Sequence, residues 1–81
     1  MPYVYILKCH DNTLYTGYTL NIERRVAQHN QGLASKYTRA RLPVECIYWE
    51  EKATVNDALK REIEIKKMTR GQKLKLINIS K

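Results

Sequence analysis

Two β-type runs separated by only four residues limit the folds open to this chain more than any other feature. Residues 3–9, "YVYILKC", are β-branched, aromatic and aliphatic, and residues 14–19, "LYTGYT", read as a second strand. Between them, "HDNT" is a turn, because Asp and Asn tolerate left-handed backbone and hydrogen-bond their own main chain. The chain therefore begins with a β-hairpin. Its return strand carries Gly17 at its middle, where glycine gives up side-chain packing and costs backbone entropy. On that strand Tyr15, Gly17 and Thr19 share one face, while Leu14, Thr16 and Tyr18 take the other.

After the hairpin the spacing becomes helical. Residues 20–31, "LNIERRVAQHNQ", place Ile22 and Val26 one turn apart, and Gly32 closes the helix as a C-cap. A polar, basic connection, "LASKYTRARLP", leads to a third strand, "VECIYWEE". Thr54 opens a second helix as N-cap, with Asp57 where a capping box prefers Glu, and this helix runs to about Thr69. A last short helix covers "GQKLKLINI". The order β-β-α-β-α-α predicts an α/β (α+β) sandwich, a small three-stranded sheet flanked by about three helices. The 81 residues make one domain, near the lower size limit for a hydrophobic core.

An apolar content of 43% suits a compact globule and argues against disorder. The N-terminal apolar run is too short to span a bilayer and lacks a positive n-region. Cys9 and Cys46 are too far apart in sequence for a metal knuckle, and one pair is no disulfide framework. They read as reduced thiols in a cytoplasmic protein. Fifteen Lys and Arg against eight Asp and Glu give a net charge of +7, a field that attracts polyanions, nucleic acid before membrane.

In the second helix Val55, Ala58, Leu59, Ile63 and Ile65 define an apolar arc. Glu62 falls close to its middle, and Glu64 points away. A carboxylate inside a buried stripe is costly unless paired or bound to a cation. Two readings follow for Glu62: a salt bridge to a first-helix arginine or Lys66, or a metal or catalytic role. In the first helix Arg25 and His29 lie four apart and flank the apolar arc, whereas Arg24 points outward. These groups would converge on the sheet between the two helices, where the strand tyrosines lie.

The ordered set "VYI" at 4–6, "YTG" at 15–17, "ERRVAQH" and "LKREIEIKK" resembles the GIY-YIG endonuclease superfamily, in particular its small stand-alone bacterial members, over nearly the whole chain. The first motif lacks its leading glycine, and Thr16 replaces an isoleucine in the second; both departures spare the side chains that carry chemistry. The resemblance implies Tyr5 and Tyr15 as the motif tyrosines, Gly17 as the structural glycine beside them, Arg25 and His29 on the first helix, and Glu62 as metal ligand. It implies one divalent cation, Mg²⁺ or Mn²⁺, held by Glu62, waters and a phosphate oxygen.

Under this reading the cation and Arg25 neutralise charge at phosphorus, while Tyr5, Tyr15 or His29 acts on the attacking water. Gly17 leaves room for a phosphate or a neighbouring side chain. Lys36, Tyr37, Thr38, Arg39 and Arg41 form the surface expected to meet a nucleic-acid backbone. The expected activity is cleavage of DNA, including branched or damaged structures, in repair or recombination. The alternative is a non-catalytic nucleic-acid-binding module. The expected species is a monomer or weak dimer without membrane association, its specificity low or supplied by a protein partner.

Overall fold

The structure, a computed structural model, describes residues 1–79. Strands β1 (Tyr3–Cys9) and β2 (Leu14–Thr19) form the expected hairpin. Asn12 takes the left-handed backbone (φ 69°), and the Asp11 carboxylate accepts from the backbone and hydroxyl of Thr13. Then come α1 (Ile22–Asn30), α2 (Lys36–Arg39), β3 (Val44–Glu51), α3 (Val55–Lys66) and α4 (Arg70–Ile79). The sheet is antiparallel in the order β2-β1-β3, so β1 is central and β2 is an edge. The fold is thus a three-stranded antiparallel sheet with helices on both faces, an α+β arrangement.

Each helix boundary has a local cause. Asn21 caps α1 by accepting from the Arg24 N–H, and Thr54 caps α3 by accepting from the Asp57 N–H at 3.1 Å. At the end of α1, Gly32 has φ +78°; its N–H donates to the His29 carbonyl, and that of Leu33 to the Gln28 carbonyl. This pair is a Schellman motif, so Gly32 sits one position beyond the cap residue Gln31.

Helix α3 stops at Lys66, short of the expected Thr69, because Thr69 caps the start of α4. The Gln72 N–H donates to Thr69 Oγ1, and Gln72 Oε1 accepts from the Thr69 N–H. That reciprocal capping box starts a new helix. The single turn α2, which apolar periodicity does not announce, is capped by Ser35 accepting from the Tyr37 N–H.

The central strand divides the core. Val4 and Ile6 face α3 and α4 and pack with Ala58, Ile65 and Ile77. Tyr5, Leu7 and Cys9 face the other way, with Tyr15, Val26, Leu42, Val44 and Cys46. A bulge in β3 leaves Ile47 between the pairs Leu7↔Cys46 and Ile6↔Tyr48. Ile47 and Tyr48 consequently both turn toward the α3 side. The arc on α3 is narrower than its sequence suggests: Ala58 and Ile65 are fully buried, whereas Val55 and Ile63 are exposed. Both cysteines are free thiols. Among the described residues no helix is long and apolar enough to cross a membrane.

Candidate active site

The centre of the site is a chain of three hydrogen-bonded side chains. Tyr5 lies on the central strand, buried, with its hydroxyl 2.9 Å from His29 Nε2. His29, also buried, has Nδ1 2.8 Å from Thr38 Oγ1, and the Thr38 hydroxyl donates to the Ser35 carbonyl. The hydrogen-bond network assigns the tautomer. With the Thr38 proton committed to a carbonyl, its oxygen accepts from Nδ1–H. Neutral imidazole has one N–H, so Nε2 accepts from the Tyr5 hydroxyl.

Local structure holds His29 in place. It occupies the last turn of α1, and the adjacent Asn30 side chain bonds both backbone groups of Val44, donating to its carbonyl and accepting from its N–H at 2.8 Å. That pair ties the end of α1 to β3.

Gly17 stands directly opposite Tyr5 in the β1–β2 register. A Cβ on Gly17 would lie 2.6 Å from the Tyr5 hydroxyl oxygen and 2.8 Å from Cζ. The Tyr5 ring therefore lies over Gly17, and its hydroxyl reaches toward the β2 edge. Of the two roles expected for the missing side chain, room for a phosphate or for a neighbouring residue, the second applies. The neighbour is Tyr5, from the next strand.

Tyr15, on the same face of β2, contacts the His29 ring edge-on at 5.2 Å between centroids. It also stacks on Tyr37 at 6.0 Å and 28°. The Arg41 guanidinium lies 3.9 Å over the other rim of this ladder, on the Tyr37 ring, and pairs with Asp11 at 3.1 Å. Of the expected nucleic-acid surface, Lys36, Tyr37 and Arg39 are exposed and Arg41 half-buried. Thr38 leaves that surface. It is fully buried with its hydroxyl on His29, so it cannot touch a polyanion directly.

Arg25 is half-buried on α1, lining a cleft of about 500 Å³ with Tyr18, Thr19, Asn21, Arg24 and Gln28, while Arg24 is exposed. Glu62 approaches from α3, on the opposite face of the sheet. Both are near enough for their charges to act on the Tyr5 phenol. Burial raises that phenol well above its ordinary range, Tyr15 and Glu62 push it further up, and Arg25 pulls it down. His29 is lowered, first by burial and then by Arg25, which favours neutral imidazole.

The Glu62 side chain is 15% exposed and meets Lys66 Nζ at 3.6 Å, one turn along α3. The lysine is 52% exposed, so this pair is open to solvent on one side and can yield to a cation. Among the described residues no three His, Cys, Asp or Glu side chains are gathered as a metal cage. One carboxylate with room for waters is the donor set suited to Mg²⁺, which is hard and dehydrates reluctantly.

Sequence reasoning missed the Thr38–His29 contact. The available signal was Ser35, a capping residue three before Thr38, which marks a helical turn and hence which side chains turn inward.

The family model for the GIY-YIG catalytic domain matches residues 1–75. A UPF0213 protein of Staphylococcus haemolyticus is 55% identical over 75 residues, 93% of this chain and 92% of its own. One of Clostridium perfringens is 54% identical over 78 residues, 96% and 84% of the two chains. The solution structure of a UPF0213 protein from Bacillus halodurans superposes with a TM-score of 0.63 at 38% identity, covering 98% of this chain and 85% of that one. The solution structure of the protein EF2693 from E. faecalis superposes at 0.64 and 42% identity, covering 95% of this chain and 82% of that one. With its motifs, fold and nearly full-length relatives in agreement, the chain belongs to the GIY-YIG family.

Proposed function

We propose that this protein is a divalent-metal-dependent endonuclease that hydrolyses DNA phosphodiester bonds, with Tyr5, Tyr15, Arg25, His29 and Glu62 as its machinery. Membership of a nuclease family supplies the reaction class, and with it a nucleic-acid substrate and general dependence on a divalent metal. The observation that carries the reading is the hydrogen-bonded Tyr5–His29–Thr38 chain, which supports a route for the proton of an attacking water.

Free tyrosinate is disfavoured here, because burial raises the phenol. The relay avoids it. A water donating to the Tyr5 oxygen passes its proton there as the phenol proton moves to His29 Nε2. The water oxygen bonds phosphorus, and the bond to the 3′ oxygen breaks. Imidazole held neutral by burial is ready to accept. Tyr5 and His29 are in this way successive stations of one base. Tyr15 positions the His29 edge. Arg25 clamps the non-bridging oxygens with a planar guanidinium. Glu62 would hold one Mg²⁺ or Mn²⁺, which supplies Lewis-acid stabilisation of the developing charge and leaving oxygen.

The test is incubation of the protein with labelled duplex, single-stranded, branched and damaged DNA and Mg²⁺ or Mn²⁺, beside Glu62→Ala. Metal-dependent cleavage lost in the variant is expected. Failure of the unaltered protein to cut any of these substrates would overturn the proposal.

A further inference from the structure

Between the edge strand β2 and α4 lies a second pocket, of about 250 Å³, lined by Leu14, Tyr15, Thr16, Tyr37, Lys66 and Lys73. Three features distinguish it. Thr16 is 3% exposed, yet its Oγ1 has no hydrogen-bond partner among the described residues. A hydroxyl buried without a partner is disfavoured and calls for one. Two lysines from different helices meet here closely enough that Lys66 lowers Lys73, which burial already lowers. The rings of Tyr15 and Tyr37 stack along one wall, and Tyr37 is 39% exposed.

We propose that this pocket is a binding subsite for a nucleic-acid backbone phosphate next to the one cleaved, held by Lys73 and Lys66 with the Thr16 hydroxyl donating. The chemistry is specific: two ammonium groups take the charge and a neutral donor takes one oxygen. Tyr15 belongs both to this pocket and to the Tyr15–His29 contact, so an occupant here lies beside the relay. Because Lys66 also pairs with Glu62, a phosphate drawing Lys66 into the pocket frees that carboxylate for a cation. The proposal rests on the nuclease reading for its ligand class, but its residues lie outside the expected DNA-binding strip, Tyr37 excepted.

The test is fluorescence anisotropy of a labelled single-stranded oligonucleotide without divalent metal, over a series of salt concentrations. The variants are Lys73→Gln, Lys75→Gln as an exposed neighbour with the same charge change, and Thr16→Val. Lys73→Gln is expected to flatten the dependence of log affinity on log salt by about 0.7, the loss of one single-strand phosphate contact. Lys75→Gln leaves the slope unchanged. Thr16→Val weakens binding severalfold at unchanged slope while melting no lower than the parent, since it removes an unpaired hydroxyl.

Identical slopes for Lys73→Gln and Lys75→Gln would overturn the subsite, as would displacement of the oligonucleotide by equimolar inorganic phosphate, which marks a small-anion pocket. Cleavage assayed in parallel separates the two readings. Cleavage with indistinguishable lysine slopes overturns the subsite alone; a Lys73-dependent slope in a protein that never cuts overturns the nuclease reading alone.

Discussion

The Tyr5 hydroxyl lies 2.9 Å from His29 Nε2, and Thr38, on the far side of the imidazole with its own proton on the Ser35 carbonyl, assigns Tyr5 as the donor. Thr38 is fully buried, yet in the proposed relay it decides which nitrogen is free to receive the proton. Thr38→Val is therefore expected to lower kcat by about 10²-fold or more, the scale of a general-base contribution, with KM little changed. Thr38→Ser, which keeps the hydroxyl, restores most of the rate. Steady-state kinetics of the two variants check this; equal losses in both would show a packing role only. Thr38→Val also leaves a buried donor unpaired, a destabilisation of about 1–3 kcal/mol measurable by denaturant unfolding.

In the proposed relay neutral imidazole is the competent form, and His29 is lowered by burial and then by Arg25. Activity should rise with pH through a value below the ordinary histidine pKa of about 6.5 and then level off on that limb. The folded pKa is lower than the unfolded one, so this residue's stabilising contribution is present above the unfolded value and declines as pH falls below it. Arg25→Gln removes the second cause, so the His29 ring resonance in an NMR titration moves to a higher midpoint. A midpoint unmoved or lower contradicts the assignment.

Gly17→Ala places a methyl 2.6 Å from the Tyr5 oxygen. The ring must shift, and overpacking of this kind costs about 1–3 kcal/mol. Activity falls with it, because the relay loses its alignment. In a Tyr5→Leu background, which removes the hydroxyl that meets the methyl, the same Gly17→Ala change should cost markedly less. Unfolding free energies of the four proteins form the cycle.

Away from the site, Glu50 receives both Arg61 Nε and an Arg61 terminal nitrogen and pairs with Lys52 at 3.0 Å. Burial alone would raise this carboxyl; hydrogen bonds from Arg61, Tyr48 and Lys52 prevail and hold it at about 2. Its stabilisation is complete above the unfolded value of about 4.5 and lost as pH falls toward 2. The difference corresponds to at most about 3 kcal/mol. Glu50→Gln should unfold more readily at neutral pH and show a flatter decline between pH 4.5 and 2.

Glu62→Gln should abolish metal stimulation of cleavage, a loss of more than about a hundredfold if several kcal/mol of charge stabilisation disappears. Mn²⁺ broadening of amide NMR signals offers a readout independent of activity. The expected broadening centres on residues around Glu62 and vanishes in the variant; broadening elsewhere would remove Glu62 from the metal site.

The sequence by itself determined the local structure and the identity of the polar residues. The hairpin, the capping by Thr54, the left-handed Gly32 and the placement of Glu62 on the inner side of α3 all follow from interactions within a few residues, and those are written in order along the chain. The family motifs added which tyrosines, arginine and histidine to watch.

Tertiary structure decided what those residues touch. No spacing rule says that the ring filling the gap at Gly17 comes from Tyr5, because the two meet only through strand register. Nor does periodicity reveal that Thr38 turns inward to His29, since a four-residue helix is too short to show a period. That Arg25 and Glu62, from opposite faces of the sheet, both act on the Tyr5 phenol is likewise a product of helix packing. Contacts between distant segments depend on how the core closes, and a linear pattern carries the propensity to be buried without naming the neighbour.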